Sequence, residues 1–122
     1  MSIPYTTNVR MLDAVTVDTT SQAFDVSKRQ QITIQLICAN HTSGNGVFTV
    51  DATNDDVANN NWVTGISFRD AKATASTTWV VSETLSANGN AGIYVPGGWR
   101  FIRVVLDVTT DGTYTAIMEN GG

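Results

Sequence analysis

Three segments of the chain alternate apolar and polar residues at every second position. They are residues 31–38, 47–52 and 102–108. A period of two is typical of β-strands that bury one face. We therefore predict that the apolar members of all three segments point into one core: Ile32, Ile34, Leu36, Phe48, Val50, Ile102, Val104 and Leu106.

Weaker alternation marks further candidate strands at 9–17, 22–26, 62–69, 78–85, 91–95 and 113–119. Clusters of Gly, Asn and Asp separate these segments, as turns between short strands require. Asp111 and Gly112 tolerate the positive φ of a tight turn, so we expect a hairpin joining strand 100–108 to strand 113–119. Roughly eight or nine short strands predict an all-β fold, an antiparallel, jelly-roll-like β-sandwich.

The chain of 122 residues is long enough for one domain. We expect residues 1–7 to form an extended N-terminal arm, since Pro4 disfavours helix in the residue before it, and residues 8–122 to form the sandwich. The N-terminal residues lack the charged and apolar regions of a signal peptide, and no apolar run is long enough to span a membrane. These features predict synthesis in a cytoplasm and no membrane association.

The charge pattern argues against nucleic acid as a partner. The chain has seven Lys and Arg against eleven Asp and Glu, a net charge of −4. Its basic residues are scattered, so there is no basic stripe to follow a phosphate backbone. The single cysteine, Cys38, shares the apolar face of residues 31–38, which predicts a buried hydrophobic residue.

Candidate catalytic groups are few, and we expect neither enzymatic activity nor a cofactor. The single histidine, His41, lies in a turn, and no Gly-x-Ser-x-Gly motif is present. The loop at 51–61 is rich in Asp and Asn, which are ligands for calcium. Its spacing differs from that of a calcium-binding loop, which favours a plain turn over a metal site.

The outer face of the predicted strand 100–108 carries Phe101 and Val105 beside Arg103. Apolar groups on an outer face suggest that a loop or another subunit covers them. In the N-terminal arm, Ile3, Pro4 and Tyr5 offer apolar contact and an extended backbone to a partner. A candidate assembly interface therefore comprises Ile3, Pro4, Tyr5, Phe101, Arg103 and Val105.

Four segments carry a resemblance to a known group of proteins: 48–56, 61–63, 96–104 and 112–119. Together they resemble the small Thr- and Gly-rich β-sandwich proteins of tailed-bacteriophage virions, namely head-decoration or accessory structural proteins. The resemblance implies a non-enzymatic structural protein located in the virion, and favours a capsid-decorating role. It also implies a major capsid protein or another virion subunit as partner, and self-association, with a trimer favoured.

The same segments are also similar to discoidin-like carbohydrate-binding modules, which leaves a second interpretation open. In that case the protein would recognise glycans on a host or cell surface. Its ligand platform would be Trp62 with Asn54 and Asp56, although Asp56 stands where that pattern prefers Gly. The other two tryptophans, Trp79 and Trp99, are expected to close the ends of the sandwich.

Overall fold

The computed structural model describes residues 9–55, 61–71 and 78–119, which form eleven β-strands. Within these ranges no helix is long and apolar enough to cross a membrane. The all-β prediction is confirmed, with more strands than expected. The strands are β1 (Val9–Val15), β2 (Thr19–Thr20), β3 (Phe24–Asp25), β4 (Gln31–Ala39), β5 (Gly44–Thr53), β6 (Phe68–Asp70), β7 (Trp79–Val80), β8 (Glu83–Leu85), β9 (Gly89–Pro96), β10 (Phe101–Thr110) and β11 (Thr113–Met118).

The strands form two antiparallel sheets that pack face to face. One sheet has six strands in the order β1-β11-β4-β9-β6-β7. The other has five strands. Four follow the order β2-β10-β5-β8, and the fifth, β3, also pairs with β10. The longest pairing joins β5 and β10 in continuous register from Phe101 opposite Thr53 to Thr110 opposite Gly44. This ladder makes β5 and β10 the centre of the five-stranded sheet.

The inner faces of both sheets form one hydrophobic core. All eight residues predicted to point inward are at most 1% exposed, so the predicted register is confirmed. Cys38 is buried among them, as expected. Phe48 and Tyr114 come from opposite sheets and meet edge to face, with their ring centroids 6.0 Å apart. The core therefore joins the two sheets through contacts made by residues far apart in sequence.

Most connections carry the chain from one sheet to the other. This applies to the connection between β10 and β11, because β10 lies in the five-stranded sheet and β11 in the six-stranded sheet. The predicted hairpin at Asp111 and Gly112 is therefore wrong: these residues form a corner between sheets. Positive φ values of 79° at Thr110 and 112° at Gly112 turn the backbone there.

The first and last strands lie side by side at one edge of the six-stranded sheet. Val9 of β1 pairs with Met118 of β11, and the ladder continues to Val15 opposite Tyr114. The chain therefore enters and leaves the described fold at the same end of the sandwich. The Asp111 corner, at the start of β11, lies at the other end. The predicted arm at residues 1–7 lies outside the described residues.

Candidate functional site

The outer face of the five-stranded sheet contains a compact group formed by Trp62, Arg103 and Asp51, here called the Trp62 cluster. Arg103 and Asp51 are opposite each other on β10 and β5, and Arg103 Nε donates to Asp51 Oδ2 at 2.9 Å. The other carboxylate oxygen accepts the backbone N–H of Gly65 at 3.0 Å. The Arg103 guanidinium carbon lies 4.2 Å from the centroid of the Trp62 ring. These contacts hold the segment around Trp62 against the sheet.

Phe101 and Val105 flank the Trp62 cluster on the same outer face and are both half-buried. Val105 lies between Thr49 on β5 and Thr20 on β2. The guanidinium carbon of Arg100 lies 5.6 Å from the centroid of the Phe101 ring. The structure thus covers Arg103 with the chain's own Trp62 and leaves Phe101 and Val105 partly accessible. Ile3, Pro4 and Tyr5 lie outside the described residues.

The polar residues near Trp62 are occupied by hydrogen bonds within the chain. Asn54 Oδ1 accepts the backbone N–H of Arg100 at 2.9 Å, and Asp55 Oδ2 accepts from the amide of Asn61 at 2.7 Å. Asp56 lies outside the described residues. In the described part of the chain, no three His, Cys, Asp or Glu side chains gather in a way that could hold a metal ion. The described part of loop 51–61 has the contacts of a turn.

Trp79 does not close an end of the sandwich, contrary to expectation, because it is 54% exposed. It belongs to a row of directly opposed residues on the outer face of the six-stranded sheet. Thr33 pairs with Tyr94, Tyr94 with Arg69, and Arg69 with Trp79. We call these four residues the Trp79 row. The Arg69 guanidinium carbon lies 5.6 Å from the Trp79 ring centroid and 5.7 Å from that of Tyr94.

A shallow groove of about 300 Å³ runs beside the Trp79 row. Its lining includes Gly92 and Ala71, together with the side-chain amides of Gln35 and Asn90. The two amides hydrogen-bond each other, with Gln35 Nε2 donating to Asn90 Oδ1 at 3.2 Å. Alternation of apolar and polar residues does not reveal this surface, because β6 and β7 are too short to show it. The available signal in the sequence was Trp79 directly after the polar run Ser76-Thr77-Thr78.

The corner at Asp111 is held by a second polar network. Its carboxylate accepts the backbone N–H groups of Thr42 and Ser43 at 3.0 and 3.2 Å, and the Thr42 hydroxyl. These hydrogen bonds, led by the one from the Thr42 hydroxyl, lower the pKa of Asp111 from 3.8 to about 2. The buried hydroxyl of Tyr114 donates to the Asp111 carbonyl at 3.0 Å.

The packed antiparallel sheets and sheet-switching connections place this chain among the all-β sandwiches. No protein-family model matches the chain, and no curated protein matches it in sequence. Among solved structures, the fold is similar to that of the SPBc2 prophage-derived protein YomS. The two are 18% identical with a TM-score of 0.66, over 97% of this chain and 96% of that one. The chain therefore shares its fold, nearly end to end, with a phage-derived protein.

Proposed function

We propose that this protein is a non-enzymatic structural protein of a tailed-phage virion that decorates and stabilises the capsid. The observation that supports the proposal best is the fold shared with a prophage-derived protein over almost the full length of both chains. The proposed partner is the major capsid protein or another virion subunit, and the proposed location is the virion.

The outer face of the five-stranded sheet is the proposed contact surface on the sandwich. Phe101 and Val105 are half-buried apolar residues that lie opposite Thr53 and Thr49 of β5. Neutral side chains such as Thr lose little on desolvation compared with charged ones. A partner that covers Phe101 and Val105 would bury apolar area, and Arg103 between them is already paired with Asp51.

The N-terminal residues 2–7 form the second proposed contact. They precede β1, which is an edge strand of the six-stranded sheet. An uncharged extended segment with Ile3 and Tyr5 could add a strand to a neighbour's sheet. Many copies on a symmetric particle would then strengthen a weak individual contact. A homotrimer is the proposed form on the particle.

Co-sedimentation with capsids of the encoding phage assembled without this protein tests the role. We expect the wild-type protein to sediment with them and the double variant Phe101→Lys/Val105→Lys to remain in the supernatant. The matched control is Ile37→Lys/Ile117→Lys, which places two lysines at half-buried apolar positions on the other sheet. Wild-type protein that does not sediment with the capsids would refute the proposed role.

Two further measurements separate the contacts. Deleting residues 2–7 should weaken capsid binding and make it more sensitive to salt, while leaving the circular dichroism spectrum unchanged. Chemical cross-linking of the wild-type protein on the particle should yield trimers. Unchanged binding after the deletion would remove the arm from the proposal, and a monomer on the particle would remove the trimer.

A further inference from the structure

We propose that the outer face of the six-stranded sheet is a binding site for a neutral oligosaccharide, centred on the Trp79 row and the groove beside it. The site is independent of the proposed virion role, because it lies on the opposite sheet from Phe101 and Val105. It also differs from the Trp62 platform expected from the sequence. The Trp62 ring is half-buried with Arg103 only 4.2 Å from its centroid, whereas Trp79 is 54% exposed and Arg69 lies 5.6 Å from its centroid.

The shape of the Trp79 row suits an extended chain of sugar rings. Its four residues lie on four adjacent strands, which are about 4.8 Å apart, so the row crosses about 14 Å of sheet. Trp79 at one end is more than half exposed, and Tyr94 further along is half-buried. Aromatic side chains present an apolar surface together with a polar group. They can stack against the C–H face of a pyranose ring.

The groove beside the row combines an apolar floor with hydrogen-bonding side chains along it. Gly92 and Ala71 form part of that floor, and a Cβ at position 92 would lie 3.0 Å from the Cβ of Ala71. The missing side chain at Gly92 therefore keeps the groove open. Each amide of Gln35 and Asn90 can donate and accept, as sugar hydroxyls do. An apolar lining with a few placed polar groups is typical of ligand sites.

The charge of this surface favours a neutral ligand. Among the described residues of the row and the groove, Arg69 carries the one formal charge. Its guanidinium donates to Gln31 Oε1 at 3.0 Å and lies near both aromatic rings. A ligand with hydroxyl groups and an apolar ring face, such as a gluco-configured oligosaccharide, complements this surface.

Titration of the purified full chain with cellotetraose and chitotetraose, followed by tryptophan fluorescence, tests the proposal. We expect saturable binding of at least one tetrasaccharide and a change in emission from Trp79. Trp79→Ala should raise Kd by about tenfold or more, as removal of an aromatic stacking partner does elsewhere. Gln35→Ala should also raise Kd, and because Gln35 is exposed the substitution should leave the fold intact.

Trp62→Phe is the matched control, since it changes a tryptophan on the opposite sheet and should leave Kd unchanged. Circular dichroism and the urea midpoint establish that each variant is folded. Absence of saturable binding by the wild-type protein at millimolar tetrasaccharide would overturn the proposal. So would an equal loss of binding in Trp62→Phe and Trp79→Ala. Protection of Trp79 by the capsid alone, with no sugar binding, would assign this face to a protein partner instead.

Discussion

The carboxylate of Asp111 accepts the backbone N–H of Thr42 at 3.0 Å and so ties together two corners of the sandwich. One corner leads from β10 to β11, and the other leads from β4 to β5. Both connections pass from one sheet to the other. A single acidic side chain therefore holds the two corners together at this end of the molecule.

Asp111→Asn should destabilise the protein in a pH-dependent way. The folded-state pKa of Asp111 is lowered to about 2 from 3.8, so its contribution is complete above the ordinary pKa and is lost as the pH falls towards 2. We expect a lower urea midpoint for Asp111→Asn at neutral pH and a difference from wild type that shrinks in acid. Asp107→Asn, at an exposed aspartate of β10, should show neither effect.

Tyr114→Phe should cost about 1 kcal/mol of stability, because it removes the hydroxyl that donates to the Asp111 carbonyl. Burial, together with the nearby Cys38, raises the pKa of Tyr114 from 10.0 to about 12. The neutral phenol therefore stabilises the fold below pH 10, and this contribution is lost as the pH rises through 12. Urea unfolding at neutral and alkaline pH measures both effects. Tyr94→Phe on the outer face should change stability little.

Leu36→Ala and Leu106→Ala should each lower the free energy of unfolding by about 2–5 kcal/mol through lost burial and the cavity left behind. Both side chains are at most 1% exposed, and they come from opposite sheets. Urea denaturation gives the values. Val17→Ala, at a residue that is 65% exposed, is the control and should change stability little. Equal midpoints for all three variants would contradict the packing described for the core.

Arg103→Ala should cost about 3 kcal/mol, because it leaves the carboxylate of Asp51 buried without its cation. The Asp51 side chain is only 5% exposed, so water compensates little. The emission of Trp62 should also change, since the guanidinium leaves its ring. Arg10→Ala, which removes an ion pair between exposed side chains, should cost less than about 1 kcal/mol. If Arg103→Ala lowered the free energy of unfolding no more than Arg10→Ala does, the Trp62 cluster would add little to stability.

Thr110→Gly should stabilise the protein by about 0.5–1 kcal/mol. Thr110 has a φ of 79°, a conformation that costs a β-branched residue more than glycine. The greater freedom of glycine in the unfolded chain offsets part of this gain. Thr109→Gly is the matched control at an ordinary φ and should destabilise by a similar amount. Thermal unfolding of both variants checks the signs.

The alternation along the chain was sufficient to predict which residues face the core. Ile32, Phe48 and Ile102 are buried as expected, because the two-residue period of a strand depends only on local geometry. Alternation does not reveal which sheet the next strand joins. A strand with one buried face looks the same whether the chain turns back beside it or crosses to the facing sheet. This is why Asp111 and Gly112 suggested a hairpin.

The candidate sites depended on contacts between distant segments and were harder to predict. Strands β6 to β9 lie between Trp62 and Arg103 in the sequence, yet the two side chains stack in the fold. The Trp79 row draws one residue from each of four strands, two of which are very short. Composition could indicate that aromatic residues were available. It could not indicate which ones share a face.

The pairing of Val9 with Met118 determines which loops of the described fold lie farthest from its first strand. Both ends of the described chain leave the sandwich together, opposite the Asp111 corner. Residues 40–43 and 86–88 therefore lie at the end of the sandwich far from Val9. A peptide epitope inserted between Ala87 and Asn88 would then be displayed to solvent far from Val9, and an antibody against it would bind the protein without contacting its first and last strands.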